Sequence, residues 1–294
     1  MANYNLETDG VIKIAKTLQH ISSLTELNIS NNNIGNKAAD DIASVLSCNA
    51  KLHSFYIENN NIETDGVSDN NAGNEVADYI AVVLSRSTKL TNVGIRGCHL
   101  EATGAIKIAK ALQKNSSLVK LEISSNSIGS EAADDIAVLL SGNSKVQSFF
   151  SSKNNLELIG LIKIATALQN ISSLVEFNIS DNNIGSEAAD SVAAVLCHNT
   201  NLQVFSSSGN ELETMGVITV ATSLQSISSL TELSMSDNNI DNEAALDIAT
   251  VLYCNTNLKK LYIWKNDFGA VGIVKIARTL QNTSSLTETD IPAC

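Results

Sequence analysis

Aromatic residues make up only 4% of the 294-residue chain, so Leu, Ile, Val and Ala are left to fill its interior. No apolar run approaches the roughly 18 residues needed to span a bilayer. The start, Met1-Ala2-Asn3-Tyr4-Asn5, has neither a basic n-region nor an apolar h-region, so it does not read as a secretory signal. A cytoplasmic location is therefore expected, with the sequons at Asn28, Asn115, Asn170, Asn178 and Asn282 unused. The five cysteines are odd in number and scattered without a Cys-x-x-Cys. Reduced thiols are expected, with no disulfide framework, no metal and no cofactor. Basic residues are scarce: 19 Lys and Arg against 31 Asp and Glu give a net charge of −12. That balance argues against nucleic acid and against an anionic membrane, and it favours a soluble protein with a basic protein partner.

Catalytic signatures are missing as well. There is no Gly-x-x-x-x-Gly-Lys-Ser/Thr, no His-Glu-x-x-His and no Gly-x-Ser-x-Gly. The four histidines, His20, His53, His99 and His198, fall at unrelated repeat positions. The carboxylates are mostly placed by the repeat, which leaves no tuned acid–base pair in view. The chain does not read as an enzyme.

What is present is a 28-residue self-repeat of the form L-x-x-L-x-L-x-x-N-x-I, as in Leu118 to Ile128. It starts at positions 24, 52, 90, 118, 146, 174, 202, 230 and 258, and every step is 28 except the 38 from Leu52 to Leu90. Within it Leu121 and Ile123 point one way while Lys120, Glu122 and Ser124 point the other, the alternation of a strand. The next recurring place in each turn is an amide: Asn32, Asn60, Asn126, Asn154, Asn182, Asn210, Asn238 and Asn266, with Cys98 as the exception. A polar amide at the bend of every turn is expected to satisfy backbone groups there as a structural ladder.

The second half of each repeat spaces apolar residues as a helix does, as at Ala39, Ile42, Ala43 and Leu46. Ser130, ahead of Glu131, reads as an N-cap. Two helix types alternate, so the full unit is a pair of repeats. One carries Lys13, Lys107, Lys163 and Lys275, and the other Asp41, Asp135 and Asp247, so neighbouring helices would present opposite charges.

Helices need about 8–10 Å between axes and strands about 4.8 Å, so a stack of such units bends with the sheet inside. The pattern resembles the leucine-rich repeat of the ribonuclease-inhibitor-like class, which also occurs in the leucine-rich regions of NOD-like receptors. That resemblance implies a single domain over residues 1–294. Its fold class is α/β: a right-handed horseshoe solenoid with a concave parallel sheet and convex helices.

It implies a protein-interaction module, with three candidates. The foremost is the ligand-sensing or autoinhibitory region of a NOD-like receptor, or a relative lacking effector domains. A stand-alone inhibitor of a basic protein comes next, and a Ran-type GTPase activator last. This chain has three arginines and no acidic tail, which weakens the activator reading.

The 38-residue interval is 18 short of two repeats, since 56 − 38 = 18. A strand near Leu52–Ile57, a long loop through about Asn74 and a helix to about Leu84 are expected there. It reads as a recombination scar before a binding loop. Neither end carries a capping repeat, so the chain is expected to be part of a larger protein or to have its ends covered.

Outward strand positions would carry any contact. Most are small or acidic, but Lys260, Tyr262, Trp264 and Lys265 form an aromatic and cationic group of the kind enriched at interfaces. Tyr56, Arg96, His99 and Phe150 form a lesser candidate.

Overall fold

The structure, a computed structural model, describes residues 1–4, 6, 8–32, 34, 38–49, 51–60, 77–78, 80–82, 84–85, 89–281 and 285–290. The expected long loop through about Asn74 lies outside the described residues. Residues 77, 78, 80–82, 84 and 85 are helical.

The chain divides into two compact units, Met1–Val146 and Gln147–Cys294. In the first, four strands pair in sequence order and in parallel: β1 (Glu26–Asn28), β2 (Ser54–Tyr56), β3 (Asn92–Gly94) and β4 (Lys120–Glu122). They alternate with helices α1 (Thr8–Leu18), α2 (Ala39–Cys48), α3 (Glu101–Leu112) and α4 (Ala133–Ser141). The second unit has six parallel strands, also in order: β5 (Ser148–Phe150), β6 (Glu176–Asn178), β7 (Val204–Ser206), β8 (Glu232–Ser234), β9 (Lys260–Tyr262) and β10 (Glu288–Asp290). Its helices are α5 (Glu157–Leu168), α6 (Ala189–His198), α7 (Glu213–Leu224), α8 (Ala245–Cys254) and α9 (Ala270–Leu280).

From β1 to β9 the middle side chain of each strand turns inward. Leu27, Phe55, Val93 and Leu121 in the first unit are buried, as are Phe149, Phe177, Phe205, Leu233 and Leu261 in the second. Three rings of the second unit lie in a row, stacked at 6.4 Å between centroids for Phe149–Phe177 and tilted at 5.9 Å for Phe177–Phe205. Burying one such side chain contributes about 1.5–3 kcal/mol.

The bend after each strand is held by the repeated asparagine. Asn182 is fully buried. Its Nδ2 donates to the carbonyls of Ser151 (2.8 Å), Ile179 (2.9 Å) and Ser180 (3.1 Å), and its Oδ1 accepts from the amides of Asn154 (3.1 Å) and Leu156 (3.3 Å). Asn32, Asn60, Asn126, Asn210, Asn238 and Asn266 donate from Nδ2 to backbone carbonyls in the same way. The residues on either side, Asp181 (φ 55°) and Asn183 (φ 52°), are left-handed. That conformation costs about 1 kcal/mol or more per residue, which the amide's hydrogen bonds offset. Cys98 takes the same place with its Sγ 3.4 Å from the carbonyl of Ile57, and burial pushes its thiol up to about 12.

A second buried asparagine set lies at the ends of the shorter helices, at Asn49, Asn143, Asn199 and Asn255. Asn143 donates to the carbonyl of Leu139 (2.8 Å) and accepts the amide of Leu118 (3.0 Å). Asn199 repeats this with Val195 (2.9 Å) and Leu174 (3.0 Å). Asn115, one of the sequons, is 1% exposed, which leaves no room for a glycan.

Two sequence expectations are corrected. Ser130 does not cap α4, which begins at Ala133 without a side-chain cap. Gly129 is left-handed at φ 69°, and the turn it starts offers the Ser130 carbonyl, not its hydroxyl, to the Ala133 amide at 3.3 Å. The ion pairs between helices are also offset from the expected register. Lys107 bonds Asp78 at 2.8 Å, and it is Lys110, one turn further along α3, that lies 3.8 Å from Asp135.

Candidate protein-binding face

The strand face turned away from the helices carries the candidate residues. On β9, Lys260 and Tyr262 are both half-buried outward neighbours, and Trp264, in the turn that follows, is 40% exposed. Lys265 is exposed with its Nζ 4.7 Å from the centre of the Trp264 ring, a cation–π contact. The structure thus brings these four together.

Their charges are held from the preceding turn, one repeat back. Lys260 Nζ lies 3.1 Å from Glu232 Oε2, and Lys265 Nζ lies 3.3 Å from Asp237 Oδ2. The hydrogen bond and charge of Glu232 raise the pKa of Lys260. Partial desolvation, followed by a hydrogen bond to Glu288, raises that of Tyr262. Such exposed pairs contribute about 0–1 kcal/mol each, so their effect is to fix orientation. Sequence reasoning did not single out Glu232 and Glu288 and reads Asp237 only as one of the acidic outward positions, although the one-repeat spacing to Lys260 and Lys265 points to Glu232 and Asp237 as their partners.

A row of serines crosses the same face. Ser180 Oγ meets Ser206 Oγ at 2.7 Å, and Ser208 Oγ meets Ser234 Oγ at 2.7 Å. The next rung would join Ser236 to position 262, where the chain has tyrosine. Ser236 Oγ is buried without a hydrogen-bond partner among the described residues, whereas Ser30, which faces Tyr56 at the same step, accepts the Glu58 amide at 3.0 Å. A buried hydroxyl left unsatisfied is a cost, retained here beside the exposed aromatics.

In the first unit Tyr56, at the end of β2, pairs in register with Gly94 of β3. A Cβ at Gly94 would collide with the Tyr56 ring and the Glu58 carboxylate, so the glycine makes the space that both occupy. Desolvation, then the charge of Glu122, raises the pKa of Glu58, and Lys120 and Arg96 oppose them. Arg96 and His99 are exposed in the turn after β3. Phe150 belongs to the second unit, half-buried on β5. Among the described residues no group of three or more His, Cys, Asp and Glu is placed to hold a metal. No helix among them is long and apolar enough to cross a membrane.

These strands, turns and helices have the leucine-rich-repeat fold. The Leucine Rich repeat family profile matches residues 20–43, 114–137, 170–193, 226–249 and 254–277. No curated protein sequence matches the chain. Solved structures show the same fold at low identity. Internalin InlF from Listeria monocytogenes is 16% identical with a TM-score of 0.50, over 94% of this chain and 83% of its own. LegL7 from Legionella pneumophila is 17% identical with a TM-score of 0.51, over 94% and 85%. TLR13, in its complex with ssRNA13, is 15% identical with a TM-score of 0.52, over 94% of this chain and 36% of its own.

Proposed function

We propose that this chain is a non-enzymatic protein-interaction module that engages its partner through Lys260, Tyr262, Trp264 and Lys265. The observation that carries the reading is the exposed Trp264 ring under the Lys265 ammonium. Lys265 Nζ lies 4.7 Å from the centre of the Trp264 ring, which is 40% exposed, and Tyr262 lies two residues before it on the same outward side. Tyr56, Arg96, His99 and Phe150 are lesser contact candidates, each within its own unit. The partner is a protein rather than RNA, because a net charge of −12 opposes a phosphate backbone.

The 28-residue period and its alternation of two helix types favour the ligand-sensing or autoinhibitory region of a cytoplasmic NOD-like receptor, or a relative without effector domains. Sequencing the native transcript outward tests this: a nucleotide-binding module encoded on the same transcript supports it, and a transcript without one refutes it. The net charge of −12 favours a second reading, a free-standing binder of a basic enzyme resembling ribonuclease inhibitor. Near-stoichiometric inhibition of a basic ribonuclease, lost at high salt, would establish that reading. Full ribonuclease activity at a molar excess of the chain would remove it.

A further inference from the structure

The helix side of the second unit departs from its own repeat on α8, beside α9. The short helices begin Ala133-Asp134, Ala189-Asp190 and Ala245-Leu246, so Leu246 stands where the two earlier copies carry Asp134 and Asp190. Tyr253 likewise stands where Cys197 and Ser141 do. The exchange removes an ion pair. Lys107 on α3 bonds Asp78 of the helix before it at 2.8 Å, and the same step back along the chain from Lys275 lands on Leu246.

The result is an exposed apolar surface with separated charges. Leu246 is 61% exposed, Tyr253 76%, Val271 64% and Val274 45%. Leu246, Tyr253 and Arg278 line one groove between the two helices, with Ala249, Thr250 and Thr279. On α9 the stripe Val271, Val274, Lys275 and Arg278 follows helical spacing along one face. Asp241 and Glu243 lie at the start of the helix pair and Arg278 toward the end of α9, with Asp247 and Lys275, one repeat apart, level with each other between them. None of these five makes an ion pair among the described residues.

We infer that the α8–α9 face is a self-association surface, which a second copy of the chain covers in antiparallel orientation. A two-fold axis through the apolar middle sets the acidic end of each copy against the basic end of the other. It also opposes the helix dipoles favourably. A patch that complements itself in this way suits an isologous dimer, the commonest closed assembly. Long-range repulsion between two acidic chains is screened within about 8 Å at physiological ionic strength. This surface is separate from the strand face that takes the partner.

Sedimentation velocity over a wide concentration range tests the inference. Wild type is expected to shift from monomer to dimer with concentration. The double variant Leu246→Asp, Tyr253→Ser restores residues that the repeat itself uses, so it should melt like wild type yet stay monomeric. A wild type that is monomeric at every concentration overturns the proposal, and so does a dimer that survives in the double variant.

A charge exchange tests whether these groups hold the contact. Lys275→Glu with Arg278→Glu gives one monomeric chain, and Asp241→Lys with Glu243→Lys gives another. Mixing the two should restore dimers, because both ends of the contact then carry opposite charges. A mixture that stays monomeric overturns a contact held by these groups.

Discussion

Replacing Asn182 with alanine isolates what the ladder contributes. The side chain accepts the amides of Asn154 and Leu156 and donates to three carbonyls, all with Asn182 fully buried. Alanine leaves two buried N–H groups without an acceptor. Each such orphan costs about 1–3 kcal/mol, and partial relaxation or an entering water recovers some of it, so the expected loss is about 2–4 kcal/mol. Aspartate should be worse, because it sets a carboxylate against carbonyls that now have no donor. The neighbouring Asn183 is exposed but left-handed, so its alanine variant should lose only about 1 kcal/mol, the cost of that backbone conformation. Urea unfolding gives the stabilities, and amide hydrogen exchange at Asn154 and Leu156 localises the effect. A loss in Asn182→Ala no larger than in Asn183→Ala, with unchanged exchange at those amides, would refute the ladder as the element that holds the bend.

Three further outcomes follow from the geometry. Phe177→Ala removes the ring between Phe149 and Phe205 and should cost about 3–5 kcal/mol in the same unfolding assay, whereas an exposed substitution would not. A thiol reagent at neutral pH should modify the exposed Cys48, Cys197 and Cys254 while sparing Cys98, whose thiol is held near 12 by burial; mass spectrometry of the labelled peptides reads this directly. Glu58 is an acid whose folded pKa is raised above 4.5, so the stability it confers is present below that value and is lost as pH rises through the folded one. Glu58→Gln should therefore be the more stable protein at neutral pH and match wild type in acid, and the reverse order in melting experiments would count against the assigned cause.

Much of the fold is legible because the repeat states each instruction many times. The strand starts follow the same 28-residue step, and the single 38-residue interval appears between β2 and β3. Features that depend on one turn touching the next were harder to read. The phenylalanine stack joins residues that each look like an ordinary inward position. The second asparagine set was passed over because it sits outside the L-x-x-L-x-L-x-x-N motif, although Asn143, Asn199 and Asn255 recur at every second repeat.

The failed cap at Ser130 has a local cause, since a left-handed glycine before a serine changes which oxygen meets the helix. The ion-pair register could not be read from equal repeat positions. Long lysine side chains reach past the residue level with them, so Lys107 finds Asp78 and Lys110 finds Asp135. At the binding face the sequence picks out Lys260, Tyr262, Trp264 and Lys265, while the acids that orient the lysines emerge only when neighbouring turns are placed side by side.

The most direct test of a partner on the strand face is site-specific photocrosslinking at Ser234, beside Tyr262 in the sheet, in extract from the native cell. One protein adduct is expected, which unlabelled wild-type chain competes away and unlabelled Trp264→Ala chain does not. An adduct that both chains compete equally, or the same adduct from a crosslinker at the exposed Thr166 on α5, would contradict a partner held by Trp264 and its neighbours.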